Sequence, residues 1–573
     1  MNTLCMLYQL RIVLSESYTE KCAKVLSGMS VFIPFEDTET KGLSQRKTTQ
    51  RKVRSTRLGQ AMDFRVESGV NEAGQRIVPA DFRNFAPKGS GFSFDTIWDV
   101  TRMRLLENMQ RSEVQQALTF PISTGSISNL TQKGLVYIRA CHENAIPELK
   151  KFFCLKGKPF IWQMDGTNEG GKSTLFQVRE SRSGIVLWTK NIPTENQADI
   201  ELILKEMEAE FGRPDVIISD MSGKGIKAVE NLWGKSVSLF ICQFHFLRDI
   251  GKDLLMEQYE ALRKSIATSK ISANLNSLRK NFLGQINSAS ELNVKAAADF
   301  QKIIELIDWI CDYKSELKGE GTPFDLQWKH YYERCNKAFK QIEQILNTND
   351  REHHPQSTKA LGQLRNAVSK LIVNKSATRR YRALVENQRI FMEIRGIFWD
   401  DIEDKSAPLS RNIKAEEGEA APDDCKLQRD IQAMADKLQT LSEQATGANI
   451  SRYSKAKKQL EKYKHQLGNY FQFEGALHPL PRTNNLCEVG FRDTKSQMRR
   501  TTGKKNLVRI LDSTSAEIML LQNLRNEDYC RIVFKGKAIH EAFAEVPQET
   551  VKAIAKEMSH KVQKRLISPI IKQ

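Results

Sequence analysis

The sequence has little that would tie it to a membrane or to an oxidising compartment. No stretch approaches the about 18 uninterrupted apolar residues that a membrane-spanning helix needs. Residues 1–14 lack a basic start and a small-residue cleavage site, so no signal peptide is expected. Ten cysteines scattered over 573 residues do not form a disulfide framework, and they predict reduced thiols in the cytoplasm.

Acidic residues are in the minority, with 69 Asp and Glu against 87 Lys and Arg, and the net charge is +18. That balance suits a polyanion such as nucleic acid, although charge bears on association and not on fold. Apolar residues make up 40% of the chain, which excludes a wholly disordered protein. The length of 573 residues is several times that of a typical domain, about 100–200 residues, and therefore predicts a multidomain chain.

The N-terminal region, residues 1–91, contains a segment without any acid, residues 41–60. Its seven basic residues are Lys41, Arg46, Lys47, Arg51, Lys52, Arg54 and Arg57. The segment fits a solvated, flexible surface stretch or a basic arm that contacts phosphates, and the sequence leaves both open. Residues 61–91 show no steady period and are predicted to be irregular.

A helix-turn-helix-like DNA-binding region is predicted over residues 92–157. Apolar residues recur at helical steps from Phe94 to Met109, a second short helix follows, and Ser123 or Thr124 can cap a third. In a helix-turn-helix the second helix of the pair enters the major groove. Its reading face would be Ser126, Asn129, Gln132 and Lys133. A plain helical bundle fits the same pattern.

An α/β core is predicted to begin over residues 158–250. Three strand-like runs, FIWQMD, TLFQVRE and IVLWTK, precede a helical pattern over 198–211. The strand VIISD, a short helix over 226–233 and the strand VSLFI follow. The following region, residues 251–480, contains almost no strand signal and is predicted to be a helical insertion.

Within that insertion, two helices with a coiled-coil-like seam are predicted over residues 427–470, joined through TGANIS. The seam can close within one chain or between two subunits. The acidic stretch 403–424 is predicted to be a loop. After residue 481 the chain is basic and helical again, up to residue 573.

The segment GTNEGGKS, from Gly166 to Ser173, matches the phosphate-loop pattern. That loop needs a helix that starts at the Lys-Ser pair, so that the helix N-terminus holds the phosphates. TLFQVRE alternates like a strand instead, so the segment is interpreted as a Gly-rich connection between strands. A P-loop NTPase, which would depend on Lys172, stays the lesser alternative.

Three acids occupy positions that suit a metal site. Asp165 closes the first strand-like run and Asp220 closes VIISD, and carboxylates at the ends of neighbouring strands can bind divalent cations. Glu488 lies on a predicted helix. Arg492, Lys495 and Arg499 follow Glu488 on the same face and could hold a DNA backbone. Each acid also has a structural interpretation: a turn for Asp165, a helix cap for Asp220 and a capping box for Glu488.

At these residues the sequence resembles the DDE transposases of insertion sequences, in particular a branch with a long insertion such as the Mutator-like group. The resemblance is carried by WQMDGT, VIISD, CQFH and R-T-N-N-x-x-E. It implies that Asp165, Asp220 and Glu488 form a metal-binding catalytic triad, with Cys242 and His245 next to the active site. A zinc site at Cys242 and His245 is not expected, because no second ligand pair follows at suitable spacing. A buried thiol and an ordinary core histidine are the structural alternative for these two residues.

The resemblance also implies a fold and a reaction. The fold would be an RNase H-like α/β core with a mixed sheet, interrupted by a large all-α insertion and completed by residues 481–573. Two Mg²⁺ ions, which Mn²⁺ can replace, would support cleavage at the element ends and attack of the freed 3′-OH on target DNA. The partners would be the terminal repeats and target DNA in duplex form, and further copies of the chain in a dimer or larger assembly. The expected location is the cytoplasm of a prokaryote, at the nucleoid. A helix-turn-helix DNA-binding protein without catalysis is the alternative from another class.

Overall fold

The computed structural model describes residues 30–170, 173–287, 294–317, 319–347, 355–399 and 424–567. The chain divides into two compact units, the first formed by residues 1–239 and 486–573 and the second by residues 240–485. The chain thus combines helices with mixed sheets in more than one domain, and at this level the predicted fold class is confirmed.

The first unit begins with a small sheet. Its elements are β1 (Ser30–Ile33), β2 (Ser44–Ser55), β3 (Gln60–Val70), β4 (Arg76–Ile77) and helix α1 (Ala80–Phe85). The strand order is β1-β3-β2, with β4 paired to β3. Phe64 on β3 packs against Phe82 and Phe85 of α1 in a separate hydrophobic core. The prediction that residues 61–91 are irregular is therefore wrong. β3 alternates buried and exposed residues from Met62 to Val66, but its buried positions are interleaved with charged and small residues that weaken the apolar signal in the sequence.

Four helices follow and carry most of the predicted helical pattern. They are α2 (Phe94–Leu105), α3 (Arg111–Ala117), α4 (Thr124–Asn144) and α5 (Ile146–Phe153). The side chain of Ser123 accepts the N–H of Ser126 and so caps α4, as predicted. The predicted first helix extends to Met109, but α2 ends at Leu105, and the following loop contains Asn108 with a positive φ of 62°.

The central sheet contains five strands. They are β5 (Ile161–Thr167), β6 (Thr174–Glu180), β7 (Val186–Ile192), β8 (Val216–Ser219) and β9 (Ser238–Ile241), with α6 (Gln197–Phe211) and α7 (Gly223–Trp233) between them. The order is β7-β6-β5-β8-β9; β5, β6 and β7 are antiparallel neighbours, whereas β5 and β8 are parallel. β6 is buried along its whole length. The predicted order of strands and helices in this segment is confirmed.

The C-terminal part of the first unit packs onto this sheet. It comprises α16 (Asn485–Thr502), α17 (Val508–Ser513), a 3₁₀ helix (Ala516–Arg525), α18 (Glu527–Phe534), α19 (Ile539–Glu545) and α20 (Gln548–Ile567). The 3₁₀ helix runs along β7, where Asn523 exchanges two hydrogen bonds with the backbone of Val186. This contact covers the edge strand of the sheet and leaves fewer free backbone groups for aggregation.

The second unit is mostly helical. Its helices are α8 (Gln243–Thr268), α9 (Ile271–Asn287), α10 (Val294–Cys311), α11 (Gln327–Asn347), α12 (Pro355–Ile372), α13 (Lys375–Trp399), α14 (Asp424–Gln444) and α15 (Ala448–Tyr463). The predicted pairing of α14 with α15 is confirmed, but α15 ends at Tyr463, before the predicted end of its apolar stripe at Tyr470. Tyr470 instead begins a hairpin of β10 (Tyr470–Phe473) and β11 (Ala476–Pro479) that the sequence reading missed. The predicted loop over 403–424 lies almost wholly outside the described residues.

None of the helices in the described ranges is long and apolar enough to cross a membrane.

Candidate active site

Asp165 and Asp220 lie at the same edge of the central sheet. The parallel register pairs Trp162 with Ile217 and Gln163 with Ile218. Asp165 is two residues beyond Gln163 on β5, and Asp220 is two residues beyond Ile218, directly after β8. Because neighbouring parallel strands carry their carboxyl ends to one edge, the two carboxylates lie side by side.

Glu488 is brought to this edge by the first turn of α16. The Gln177 side chain on β6 donates a 2.9 Å hydrogen bond to the carbonyl oxygen of Cys487, and the Cys487 thiol contacts the carbonyl of Gln163 at 3.6 Å. Gln177 is the antiparallel partner of Asp165 in the sheet. The residue before Glu488 is thus held between β5 and β6, next to the strand position of Asp165.

Gly490 allows this close approach of α16 to the sheet. A Cβ at position 490 would overlap the guanidinium of Arg179 and the side chain of Gln522. The Gln522 side chain in turn donates a 2.8 Å hydrogen bond to the carbonyl of Gly490. A larger residue two positions after Glu488 would displace the ends of the Arg179 and Gln522 side chains from α16.

Electrostatic interactions join these acids. Burial raises the pKa of Asp165 well above its usual range, and the charges of Asp220 and Glu488 raise it further. Asp165 is only 8% exposed. The N–H of Gly166 donates a 2.8 Å hydrogen bond to the Asp165 carboxylate, and this bond lowers the pKa of Asp165. Like charges in a partly dry site resist simultaneous ionisation.

A fourth carboxylate, Glu195, belongs to the same group, and sequence reasoning missed it. It lies in the connection between β7 and α6, and its Oε2 is 3.5 Å from the place that a Cβ on Gly166 would occupy. Burial and the charge of Asp220 raise the pKa of Glu195, while Ser222 and Lys224 lower it. No local motif in the sequence marks Glu195, because it lies in a loop after an antiparallel strand. Only the folded chain places it near Asp165 and Asp220 at the edge of the central sheet. Asp165, Asp220, Glu195 and Glu488 are called the carboxylate cluster below.

The sequence also suggested structural roles for the two aspartates, a helix cap for Asp220 and a turn for Asp165. The carboxylate of Asp220 accepts the N–H of Ser222 at 3.0 Å, just before α7, whose N-cap residue is Ser222 itself. Asp165 lies within β5 and not in a turn. Asp220 also accepts the hydroxyl of Ser219 at 3.5 Å.

The chemistry of the carboxylate cluster fits hard divalent cations such as Mg²⁺, which prefer carboxylate oxygen. A cation would also offset the mutual repulsion that raises the pKa of Asp165. In the part of the chain that the structure describes, no group of three or more His, Cys, Asp or Glu side chains is arranged so that it could hold a metal ion. Metal binding therefore requires these side chains to turn towards a common point.

The basic stripe on α16 consists of Arg492, Lys495 and Arg499. Glu169, in the connection between β5 and β6, lies 3.2 Å from the Lys495 ammonium and 3.6 Å from the Arg499 guanidinium. Arg492 is exposed. Two of the three cations of this stripe thus form ion pairs with an acid from the Gly-rich segment.

The predicted reading face lies on the surface of α4. Asn129, Gln132 and Lys133 are exposed, and Ser126 is half-buried beside the N-cap Ser123. The opposite face of α4 is buried and packs on α2. These side chains are polar and accessible over the first three turns of the helix.

Cys242 and His245 lie in the second unit, at the start of α8. Cys242 is buried, and its sulfur accepts the N–H of Asn484 at 3.2 Å. Burial, reinforced by Arg248, lowers the pKa of His245 to about 4, so its imidazole is neutral at pH 7. Their proximity to the active site stays a prediction.

The predicted strand after the Gly-rich segment is confirmed, since β6 begins at Thr174. A phosphate loop would need a helix at this point. Lys172 itself lies outside the described residues.

A comparison of the chain with models of known protein families gives no match, and a comparison with proteins of curated function gives none either.

Proposed function

We propose that the protein is a DNA transposase of the DDE type, with an RNase H-like catalytic core and a helix-turn-helix region for end recognition. One observation carries the proposal. Asp165 and Asp220 lie at the carboxyl ends of two parallel strands, Glu488 comes from a helix far along the chain, and the charges of Asp220 and Glu488 both raise the pKa of Asp165. The mixed sheet order β7-β6-β5-β8-β9 and the helical unit between Asp220 and Glu488 agree with the same family resemblance.

In this proposal the three carboxylates hold two Mg²⁺ or Mn²⁺ ions. These ions, when bound, activate the attacking oxygen and stabilise the leaving oxygen of a phosphodiester. Asp165 and Asp220 fix the position of the site because they sit on neighbouring strands. Glu488 on α16 supplies the third carboxylate of the site. Arg492 on the same helix is exposed to solvent, where a phosphate backbone can approach.

Binding of DNA ends is assigned to α4. Asn129 and Gln132 can make bidentate contacts with base edges, and Lys133 can contact phosphate or guanine. Assembly as a dimer or larger complex on DNA, and a location at the nucleoid of a prokaryote, belong to the same proposal.

The decisive experiment compares two matched aspartate variants. Asp165→Asn removes a carboxylate of the cluster, whereas Asp215→Asn changes a carboxylate at the opposite end of β8, where it accepts the N–H of Phe160 at 2.7 Å. We expect the first variant to leave a supercoiled plasmid and flanking-DNA duplexes uncut in Mg²⁺ or Mn²⁺, and the second to cut like the unchanged chain. Cleavage by Asp165→Asn would reject the assignment.

A second candidate is a DNA-binding protein without catalysis. The exposed polar face of α4 favours it, because that face requires no carboxylate chemistry. It predicts duplex binding that divalent ions do not alter and no cut product from the unchanged chain in any metal.

A further inference from the structure

The N-terminal sheet ends in a strand of unusual charge. β2 reads SQRKTTQRKVRS, with five cations and no acid in 12 residues. It is the last strand of the order β1-β3-β2, so from Ser44 onward one of its edges faces away from β3. At about 3.3 Å per residue the strand is about 40 Å long. The sequence left open whether residues 41–60 are a flexible surface stretch or a basic arm that contacts phosphates. Residues 44–55 form an ordered strand, so the flexible interpretation is wrong for them, and contact with phosphates stays a prediction.

Cations stand on both faces of β2. Val53 and Ser55 are buried and mark the face that packs on the core. Lys47 and Arg51 belong to the same alternation but are exposed, although Arg51 is the cross-strand partner of the buried Phe64. Lys52 belongs to the opposite face, together with Arg46 and Arg54. A strand with accessible cations on its two faces can approach two lines of negative charge at once.

The cations differ in whether they have acidic partners. Arg46 contacts Glu67 at 2.9 Å, and Lys52 lies 3.9 Å from Asp63. Within the described residues, Lys47 and Arg51 form no ion pair with any acid. Arg54 has no acidic partner among the described residues either, but it is half-buried, with its guanidinium 5.4 Å from the centre of the Phe92 ring. Lys47 and Arg51 are therefore the exposed cations of the strand without an acidic partner, and they lie four residues apart along it.

The outer face of the sheet adds an accessible aromatic side chain. Phe32 on β1 is 44% exposed, and the Arg65 guanidinium on β3 lies 5.7 Å from its ring centre. Gln50 of β2 is the direct neighbour of Arg65. This side of the sheet thus combines basic, amide and aromatic groups with two acids, Asp63 and Glu67, which pair with Lys52 and Arg46. The basic, amide and aromatic groups suit contacts with sugar and phosphate.

We infer that β2, the edge strand of the N-terminal sheet, is a binding element for duplex DNA, with Lys47 and Arg51 facing one phosphate backbone and Lys52 the other. The major groove is about 12 Å wide, and a phosphate backbone flanks it on each side. A single strand offers only one backbone and would leave one face of cations unused. The inference takes its ligand, DNA, from the proposed function but does not depend on the carboxylate cluster.

A different role for charge on an edge strand is protection against pairing with other chains. The two roles predict different results. Protection predicts that loss of charge causes self-association without weaker DNA binding, whereas the groove contact predicts weaker binding by a chain that keeps its oligomeric state.

The test measures binding of the full chain to a 30-bp duplex, and to one of its strands, by fluorescence anisotropy over a range of salt concentrations. The variant Lys47→Gln/Arg51→Gln removes two exposed charges from β2. The control Lys151→Gln/Lys156→Gln removes two exposed charges from α5 and the turn after it in the same unit. We expect about tenfold weaker duplex binding at 0.1 M salt for the β2 variant and a log–log salt slope smaller by about 2, with little change for the control.

Several outcomes would overturn the inference. Unchanged duplex affinity and slope, an equal loss in the control, a loss confined to the single strand, or self-association in size-exclusion chromatography with intact DNA binding would each do so. Asp165→Asn measured in parallel separates the two proposals. If the unchanged chain cuts no DNA but the β2 variant binds less tightly, the proposed function fails and this inference stands; if cleavage depends on Asp165 and the β2 variant binds normally, the reverse holds.

Discussion

Two groups of carboxylates in the first unit show how differently the fold can treat acidic residues. In one, Glu143, Glu517 and Glu557 surround the guanidinium of Arg139 at 2.6, 2.9 and 2.7 Å. Burial opposes the charge of Arg139, but the three acids together raise its pKa. We call this group the arginine-centred cluster.

In the carboxylate cluster, the strongest influences on Asp165 are burial and other acids. The arginine-centred cluster carries its own cation and is complete as a structural element. The carboxylate cluster instead accumulates like charge at a sheet edge, which is unfavourable unless protons or an external cation are bound. The difference between the groups is what makes the second a candidate for cation chemistry.

Removal of Arg139 should leave the arginine-centred cluster with acids and no cation, as in the carboxylate cluster. We expect Arg139→Met to lower the free energy of unfolding by about 3–5 kcal/mol, since it leaves Glu517, only 4% exposed, without its cation. Lys190→Met removes a cation from a more exposed pair with Glu206 and should cost less than about 1 kcal/mol. Urea denaturation followed by circular dichroism measures both, and equal effects would show that Arg139 is no more than a surface cation.

The arginine-centred cluster should also affect how the free energy of unfolding depends on pH, because the charge of Arg139 acts on the buried His142. Burial lowers the pKa of His142 to about 4, the bond to the Leu187 carbonyl opposes this shift, and the charge of Arg139 lowers the pKa further. The folded state then binds fewer protons than the unfolded state, so the stabilisation is complete above about pH 6.5 and is lost as the pH falls towards 4.

The expected loss from this histidine is about 3 kcal/mol over that range. The variant His142→Gln cannot titrate, so the difference between its stability and that of the unchanged chain isolates the effect from all other groups. A difference that stays constant between pH 7 and pH 4.5 in urea denaturation would contradict the buried neutral imidazole.

Divalent cations should stabilise only the carboxylate cluster. At a Mg²⁺ concentration about ten times its dissociation constant, binding adds about 1.4 kcal/mol to stability, which corresponds to about 2 °C in a thermal transition. Asp165→Asn should lose this response in differential scanning calorimetry. Glu143→Gln, a change in the arginine-centred cluster, should keep it. If Mg²⁺ still raises the transition temperature of Asp165→Asn, the cation binds at a different site.

Glu169 represents a third situation, an acid that holds cations on the surface. Glu169→Gln should release Lys495 and Arg499 and tighten duplex binding by up to about fivefold, since exposed ion pairs contribute up to about 1 kcal/mol. Asp493→Asn releases Arg525, which is 77% exposed and 3.2 Å away, and serves as the matched control. If both variants bind DNA alike, the contact of Glu169 has no bearing on DNA.

Local patterns in the sequence predicted much of the central sheet. The runs around Asp165 and Asp220 were long and apolar enough to be recognised as strands, and α6 begins at Gln197, one residue before its predicted start. The strand β2 was missed, because its exposed residues outnumber its buried ones and its charge suggested a flexible segment. The hairpin at Tyr470 was missed as well, since its aromatic residues continued a helical stripe.

What the sequence determined by itself was therefore the set of elements whose periodicity is local, and the three acids that stand in or next to them. Only the tertiary structure decided which acids meet. Cys487 touches β5 across a separation of 324 residues, and Glu195 reaches the same edge from a loop with no recognisable pattern. The physical reason is that hydrophobic period specifies a helix or strand from neighbours along the chain, whereas a site depends on contacts between distant segments that no local pattern encodes.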